Sequence, residues 1–131
     1  MSIEHNKLLA LEFIDQVYTR GRLDIVERYV DSGVVHAGLK PGLGGVVDSI
    51  SILRDAFPNM ECKVVESISN EDRVVLRLAM KGSQLGSFMG LSPTRRNTKF
   101  WGIMILRFRE DKIVELWSLI DIPGMLAQMR G

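Results

Sequence analysis

From Met60 onward the chain alternates apolar and polar residues in long runs, which confines the second half to strands with two different faces. Met60 to Ser69 sets Met60, Cys62 and Val64 against Glu61 and Lys63. Asn70-Glu71-Asp72 turns the chain, and Arg73 to Gln84 carries Val74, Leu76, Leu78 and Met80 on one face. Thr98 to Arg109 and Lys112 to Asp121 follow, separated only by Glu110-Asp111, a spacing that predicts a two-residue hairpin. In the simplest register Leu106 faces Glu115, Met104 faces Trp117 and Phe100 faces Asp121. Ile113, Glu115, Trp117, Leu119 and Asp121 then share one face of the last strand.

The first half has a different period. Leu8, Leu11, Ile14 and Tyr18, with Leu9, Phe13 and Val17, recur at helical spacing from about Glu4 to Thr19, where Gly21 ends the run. A short second helix is expected from Leu23 to Val30, then a strand at Val34-Val35-His36. Pro41 to Gly45 reads as a turn, because its glycines follow no long buried strand and precede no Lys-Ser/Thr pair. A third helix is expected from Val46 to Phe57, closed by Pro58-Asn59. Helices followed by antiparallel strands specify an α+β domain. Three helices over one face of a strongly curved, mostly antiparallel sheet make a cone-shaped α+β barrel, and the mouth of the cone is a natural ligand pocket.

A chain of 131 residues suits one domain, spanning 1–131, with one core. The formal charge of +1 gives no general attraction to nucleic acid or to an anionic membrane. No apolar run is long enough to span a bilayer, and Met1 to Lys7 lacks the apolar core of a secretion signal. The lone cysteine, Cys62, fits a reducing compartment, so a soluble, cytoplasmic protein is expected. Two histidines and no acidic cluster make a poor metal site, and neither a metal nor another cofactor is expected.

Asp121 is the residue of most chemical interest. It ends a strand that is apolar on both faces, where a carboxylate is costly unless paired or neutralised. Desolvation beside a cavity would raise its pKa and equip it as an acid or base. It also precedes Ile122-Pro123-Gly124, and aspartate is a favoured helix N-cap with proline suited to the first turn. The two roles are compatible.

Several stretches, taken in order, resemble the SnoaL-like polyketide cyclases of the nuclear-transport-factor-2-like superfamily. They are Gly82-Ser-Gln-Leu-Gly86-Ser-Phe-Met-Gly90, Pro93-Thr94, Arg107-Phe108, Lys112-Ile113-Val-Glu115-Leu-Trp117, and Asp121 with Gly124-Met-Leu-Ala-Gln128. His36, the glycine turn and Phe57-Pro58 extend the likeness to the first half. The resemblance implies a cone-shaped homo-oligomer, dimer or tetramer, that binds a small hydrophobic carbonyl compound and closes a ring by cofactor-free intramolecular aldol chemistry. Asp121 matches the family's acid/base aspartate and His36 a frequent pocket histidine. Gln84 stands where the family often has histidine. On this reading Asp121, His36 and Gln84 carry the chemistry, the latter two as donors to substrate oxygens. Trp117, Met104, Phe100 and Phe57 form an apolar wall for a flat polyketide. Relatives with the same fold include isomerases, dehydratases, epoxide hydrolases and binding proteins, so a different acid/base reaction or a non-catalytic ligand-binding role are the alternatives.

Overall fold

A computed structural model describes residues 2–36 and 42–131. Helix α1 spans Ile3–Phe13, and the Ser2 side chain caps it by accepting from the His5 N–H. The chain then widens into a π-helical turn, Ile14–Thr19, where a single α-helix to Thr19 was expected. A 3-10 helix, Leu23–Arg28, leads into strand β1, Val30–His36, which begins four residues earlier than the sequence reading placed it.

Helix α2 spans Gly42–Ala56 and also starts early. The segment Gly42 to Gly45 is helical rather than a turn, while Pro41 lies outside the described residues. The apolar spacing explains the extension. Leu43, Val46, Ile50 and Leu53 continue one stripe against the core, and that packing outweighs the low helix propensity of the glycines.

Strands β2 (Glu61–Ser69), β3 (Arg73–Ser83), β4 (Asn97–Arg109) and β5 (Lys112–Ile120) form a meander, followed by helix α3 (Ile122–Arg130). The sheet has five strands in the order β1-β5-β4-β3-β2. Only β1 runs parallel to its neighbour, β5; the other pairs are antiparallel. The α+β cone expected from the sequence is therefore present.

The hairpin between β4 and β5 turns at Glu110 and Asp111, whose φ angles are 48° and 67°. These left-handed values at both central residues are those of a type I′ turn, normally served by Asn-Gly. The turn fixes Arg109 opposite Lys112 and Phe108 opposite Ile113. Beyond that point the register shifts, with Arg107 opposite Glu115, Met104 opposite Ser118 and Gly102 opposite Ile120. The extra residue is a β-bulge around Val114. It corrects the expected register by one place and turns every later β5 side chain to the other face. Glu115 consequently meets Arg107, which donates to it at 3.0 Å and to Asp72 at 2.9 Å.

The inner face of the sheet carries Val74, Leu76, Leu78 and Met80 on β3, Phe100, Met104 and Leu106 on β4, and Ile113 and Leu116 on β5, all buried. Phe13, Val17, Val46, Ile50 and Leu53 cover it from the helices. Among the described residues no helix is long and apolar enough to cross a membrane.

Candidate active site

Between α2 and the inner face of β3, β4 and β5 the packing opens into a chamber of about 650 Å³. Its wall is mostly apolar, built from Leu53, Leu78, Met80, Phe88, Met104 and Ile120, with Ile52, Met89 and Ile122 at the mouth. Two glycines help to make the space. Gly45 opens the α2 side, and Gly102 interrupts the inner row of β4 between Phe100 and Met104. A Cβ at Gly102 would come within 2.9 Å of the Met80 methyl carbon. The polar groups that reach the chamber are few: Tyr18, Asp48, Ser49 and Ser118. A largely apolar cavity with a small set of polar groups is the usual form of an organic-ligand site. A second cavity of about 700 Å³ at the β2 side carries Asp15, Glu61, Lys63, Lys81 and Lys99 in its wall and is far more charged.

Asp121 lies between two chamber-lining residues, Ile120 and Ile122, but is not itself part of the chamber wall. It is exposed rather than desolvated, contrary to expectation, because β5 ends at Ile120 and the chain turns out into α3. One carboxylate oxygen accepts from Gly124 N–H at 3.0 Å, so Asp121 is the N-cap of α3 with Pro123 in the first turn. The other oxygen lies against Gly124, where a Cβ would overlap it. Asp121 N–H also donates to Trp101 O at 3.0 Å, tying this turn to β4. Gln128 continues that tie, accepting from Lys99 N–H at 2.8 Å and donating to Lys99 O at 2.6 Å.

The remaining expected site residues are dispersed. Met104 lines the chamber. His36 is buried on β1 opposite Leu116 and is not part of the chamber wall described above. Gln84 is completely buried and is held by the protein itself. Its amide donates to Gly86 O and Leu91 O, and its carbonyl oxygen accepts from the Thr94 N–H and hydroxyl. These bonds occupy its donors and acceptor, so it organises the loop that carries Phe88 and Met89 to the chamber mouth instead of touching a ligand. Phe57 and Phe100 are core residues, 5.5 Å apart between ring centres, in the layer behind Phe88. Trp117 is 51% exposed on the outer face, where the bulge has sent it.

The four polar lining residues, Tyr18, Asp48, Ser49 and Ser118, all escaped the sequence reading. Ser118 was assigned to the opposite face because the bulge was not foreseen. Asp48 sits on the side of α2 that points to the chamber, and its apolar neighbours masked it. Tyr18 looked like ordinary core in the first helix. It is 5% exposed, and burial drives its phenol pKa well above the usual tyrosine range, with the neighbouring Cys62 adding to the effect. The hydroxyl therefore stays protonated near neutral pH. Cys62 is also buried, and burial pushes its thiol up to about 12, which removes it as a nucleophile. Among the described residues no group of three His, Cys, Asp or Glu side chains is arranged to hold a metal ion.

The comparisons with known proteins agree with this architecture. The family model for SnoaL-like polyketide cyclase matches residues 8–129. Among solved structures, AclR of Streptomyces galilaeus, described as a candidate hydroxylase, superposes with a TM-score of 0.89 at 27% identity, covering 98% of this chain and 87% of that one. IdmH of Streptomyces antibioticus, a candidate polyketide cyclase, gives a TM-score of 0.81 at 24% identity over 98% of this chain and 99% of its own. A candidate SnoaL-like polyketide cyclase from Jannaschia sp. CCS1 gives 0.88 at 18% identity over 98% and 94%. The last two likenesses establish the fold alone. No curated protein matches the sequence. With the family model covering nearly the whole length, the chain belongs to the SnoaL-like polyketide cyclase family.

Proposed function

We propose that this protein closes a ring in a flat, polyketide-like carbonyl compound by intramolecular aldol addition, using its own side chains as acid and base and no cofactor. The observation that carries the reading is the apolar chamber of about 650 Å³, two of whose lining residues, Ile120 and Ile122, flank Asp121 in the chain. A folded polyketide fills such a space through its apolar faces. Asp121 takes a proton from the carbon between two carbonyls. The resulting enolate carbon attacks a second carbonyl carbon, and that carbonyl's oxygen receives the proton, so a C–C bond forms and the mass is unchanged. Holding the reacting carbons together supplies much of the rate. A positioned general base contributes typically about 10²–10⁴-fold.

Asp121→Asn is the informative variant, because asparagine is as good an N-cap as aspartate and α3 should keep its start. Cyclisation should fall by about 10²–10⁴-fold, with the melting temperature little changed. Equal turnover in wild type and variant would remove Asp121 from the chemistry and leave Asp48, the carboxylate in the chamber wall, as the base.

A second reaction is favoured by one observation, the 27% identity to AclR, which bears the description of a hydroxylase. Hydroxylation by dioxygen, in which one oxygen atom enters the substrate and the other leaves as water at the expense of a two-electron reductant, would raise the product mass, whereas aldol ring closure leaves it unchanged. Mass spectrometry of the product separates the two.

The outer face of the sheet supports a homo-oligomer. Trp101, Ile103, Ile105, Trp117 and Leu119 form a contiguous exposed apolar surface on β4 and β5. Charged rows bound it, Glu61-Lys81-Lys99 at one end and Arg73-Arg107-Glu115 at the other. An apolar centre with a charged rim, carrying both signs at each end, suits a second copy of the same face.

A further inference from the structure

Tyr18 is a buried phenol in the wall of an apolar chamber, and nothing described so far uses its hydroxyl. Tyr18 lines the chamber, and its hydrogen bond to Arg54 is made by the backbone carbonyl, not by the hydroxyl. Its ring is fixed, packing edge-on against Phe13 with ring centres 5.7 Å apart. A polar group in the wall of an otherwise apolar cavity is of the kind that orients a bound ligand.

The backbone around Tyr18 is held in an uncommon way. It lies in the π-helical turn Ile14–Thr19, a geometry that recurs at functional sites. The Arg54 guanidinium, reaching across from α2, secures the end of that turn. It donates to the carbonyls of Tyr18 (3.3 Å), Thr19 (3.0 Å), Met60 (3.1 Å) and Pro58 (2.8 Å). Thr19 fastens the turn to β2 as well, with its hydroxyl donating to Cys62 O at 3.0 Å and accepting from Cys62 N–H at 2.9 Å. The hydroxyl is thus preorganised, and its burial keeps it a donor rather than an ionised phenolate.

We infer that the Tyr18 hydroxyl is a catalytic hydrogen-bond donor to the substrate's carbonyl oxygen, on which negative charge gathers when the neighbouring C–H proton leaves. The assignment rests on the chamber being the substrate site. A fixed donor in a water-poor cavity stabilises the enolate oxygen more than the starting carbonyl, which is the condition for accelerating the step. No atom is transferred from Tyr18, since the proton stays on its oxygen throughout. Arg54 acts through the turn that carries Tyr18 and is a positioning residue.

The test uses 9-fluorenone, a flat unreactive ketone whose carbonyl stretch moves to lower frequency when it accepts a hydrogen bond. Binding and infrared spectra are measured with wild type, Tyr18→Phe, Arg54→Lys and Met104→Trp, the last of which fills the chamber. Wild type should bind saturably and lower the band. Tyr18→Phe should bind with the band back near its apolar-solvent position, Arg54→Lys should give a broadened intermediate band, and Met104→Trp should lose binding. Tyr18→Phe should also slow ring closure by about 10²–10³-fold. Saturable binding with the same band in wild type and Tyr18→Phe would overturn the donor role while leaving the chamber as the substrate site. No saturable binding, or binding unaffected by Met104→Trp, would overturn both.

Discussion

Asp121 has a structural role as the N-cap of α3, and the proposed function would add a chemical one to the same side chain. Its capping bond to Gly124 fixes one oxygen, and the absence of a Cβ at Gly124 leaves room for the other. The capping role was legible in Asp121-Ile122-Pro123. The exposed setting was not, because it depends on β5 ending one residue before Asp121. Cys62 belongs to this scale too. Its ordinary value of 9.0 is pushed up to about 12 by burial, so the folded thiol remains neutral where an unfolded one ionises. The unfolded state then binds fewer protons, and the stability tied to Cys62 is complete below pH 9.0 and lost as the pH rises toward about 12. Urea midpoints at pH 8 and pH 10.5 should therefore drop more for wild type than for Cys62→Ala, and an equal drop would show that the thiol is not buried in solution.

At the scale of elements, the bulge near Val114 decides which residues face the chamber. The hairpin position and the alternation of β4 were legible, since Phe100, Met104 and Leu106 do share the inner face. The faces of β5 were not, because a single extra residue inverts all that follow and an apolar strand gives no local sign of it. The start of α2 was missed for a related reason: glycines that read as turn chemistry were carried into the helix by packing of Leu43 and Val46. The hairpin turn itself leaves room for improvement. Glu110 sits at φ 48°, a region costly for most side chains and better suited to asparagine. Glu110→Asn should stabilise the protein by up to about 1 kcal/mol, seen as a higher melting temperature. A lower one would mean the turn is not of this type.

For the whole molecule, the order of helices and strands was enough to specify an α+β cone, and the ordered series of short motifs was enough to indicate the family. The chamber could not be derived that way, since it arises from gaps at Gly45 and Gly102 and from a wide turn in the first helix. The outer sheet face makes a separate prediction. Leu119 is 76% exposed and Ile103 is 49% exposed at its centre. The double change Ile103→Lys and Leu119→Glu should convert an oligomer into a monomer by analytical ultracentrifugation while retaining the fold. A wild type that stays monomeric at every concentration would contradict the assembly.

In the proposed function Asp121, flanked by the chamber residues Ile120 and Ile122, removes a proton next to a carbonyl. Proton–deuterium exchange beside the carbonyl of 2-tetralone in D₂O, followed by NMR, measures that step without knowledge of the natural substrate. Wild type should accelerate exchange above buffer, and Asp121→Asn should bring it down by about 10²–10⁴-fold toward background. Equal acceleration by both proteins, or none by wild type, would contradict the claim.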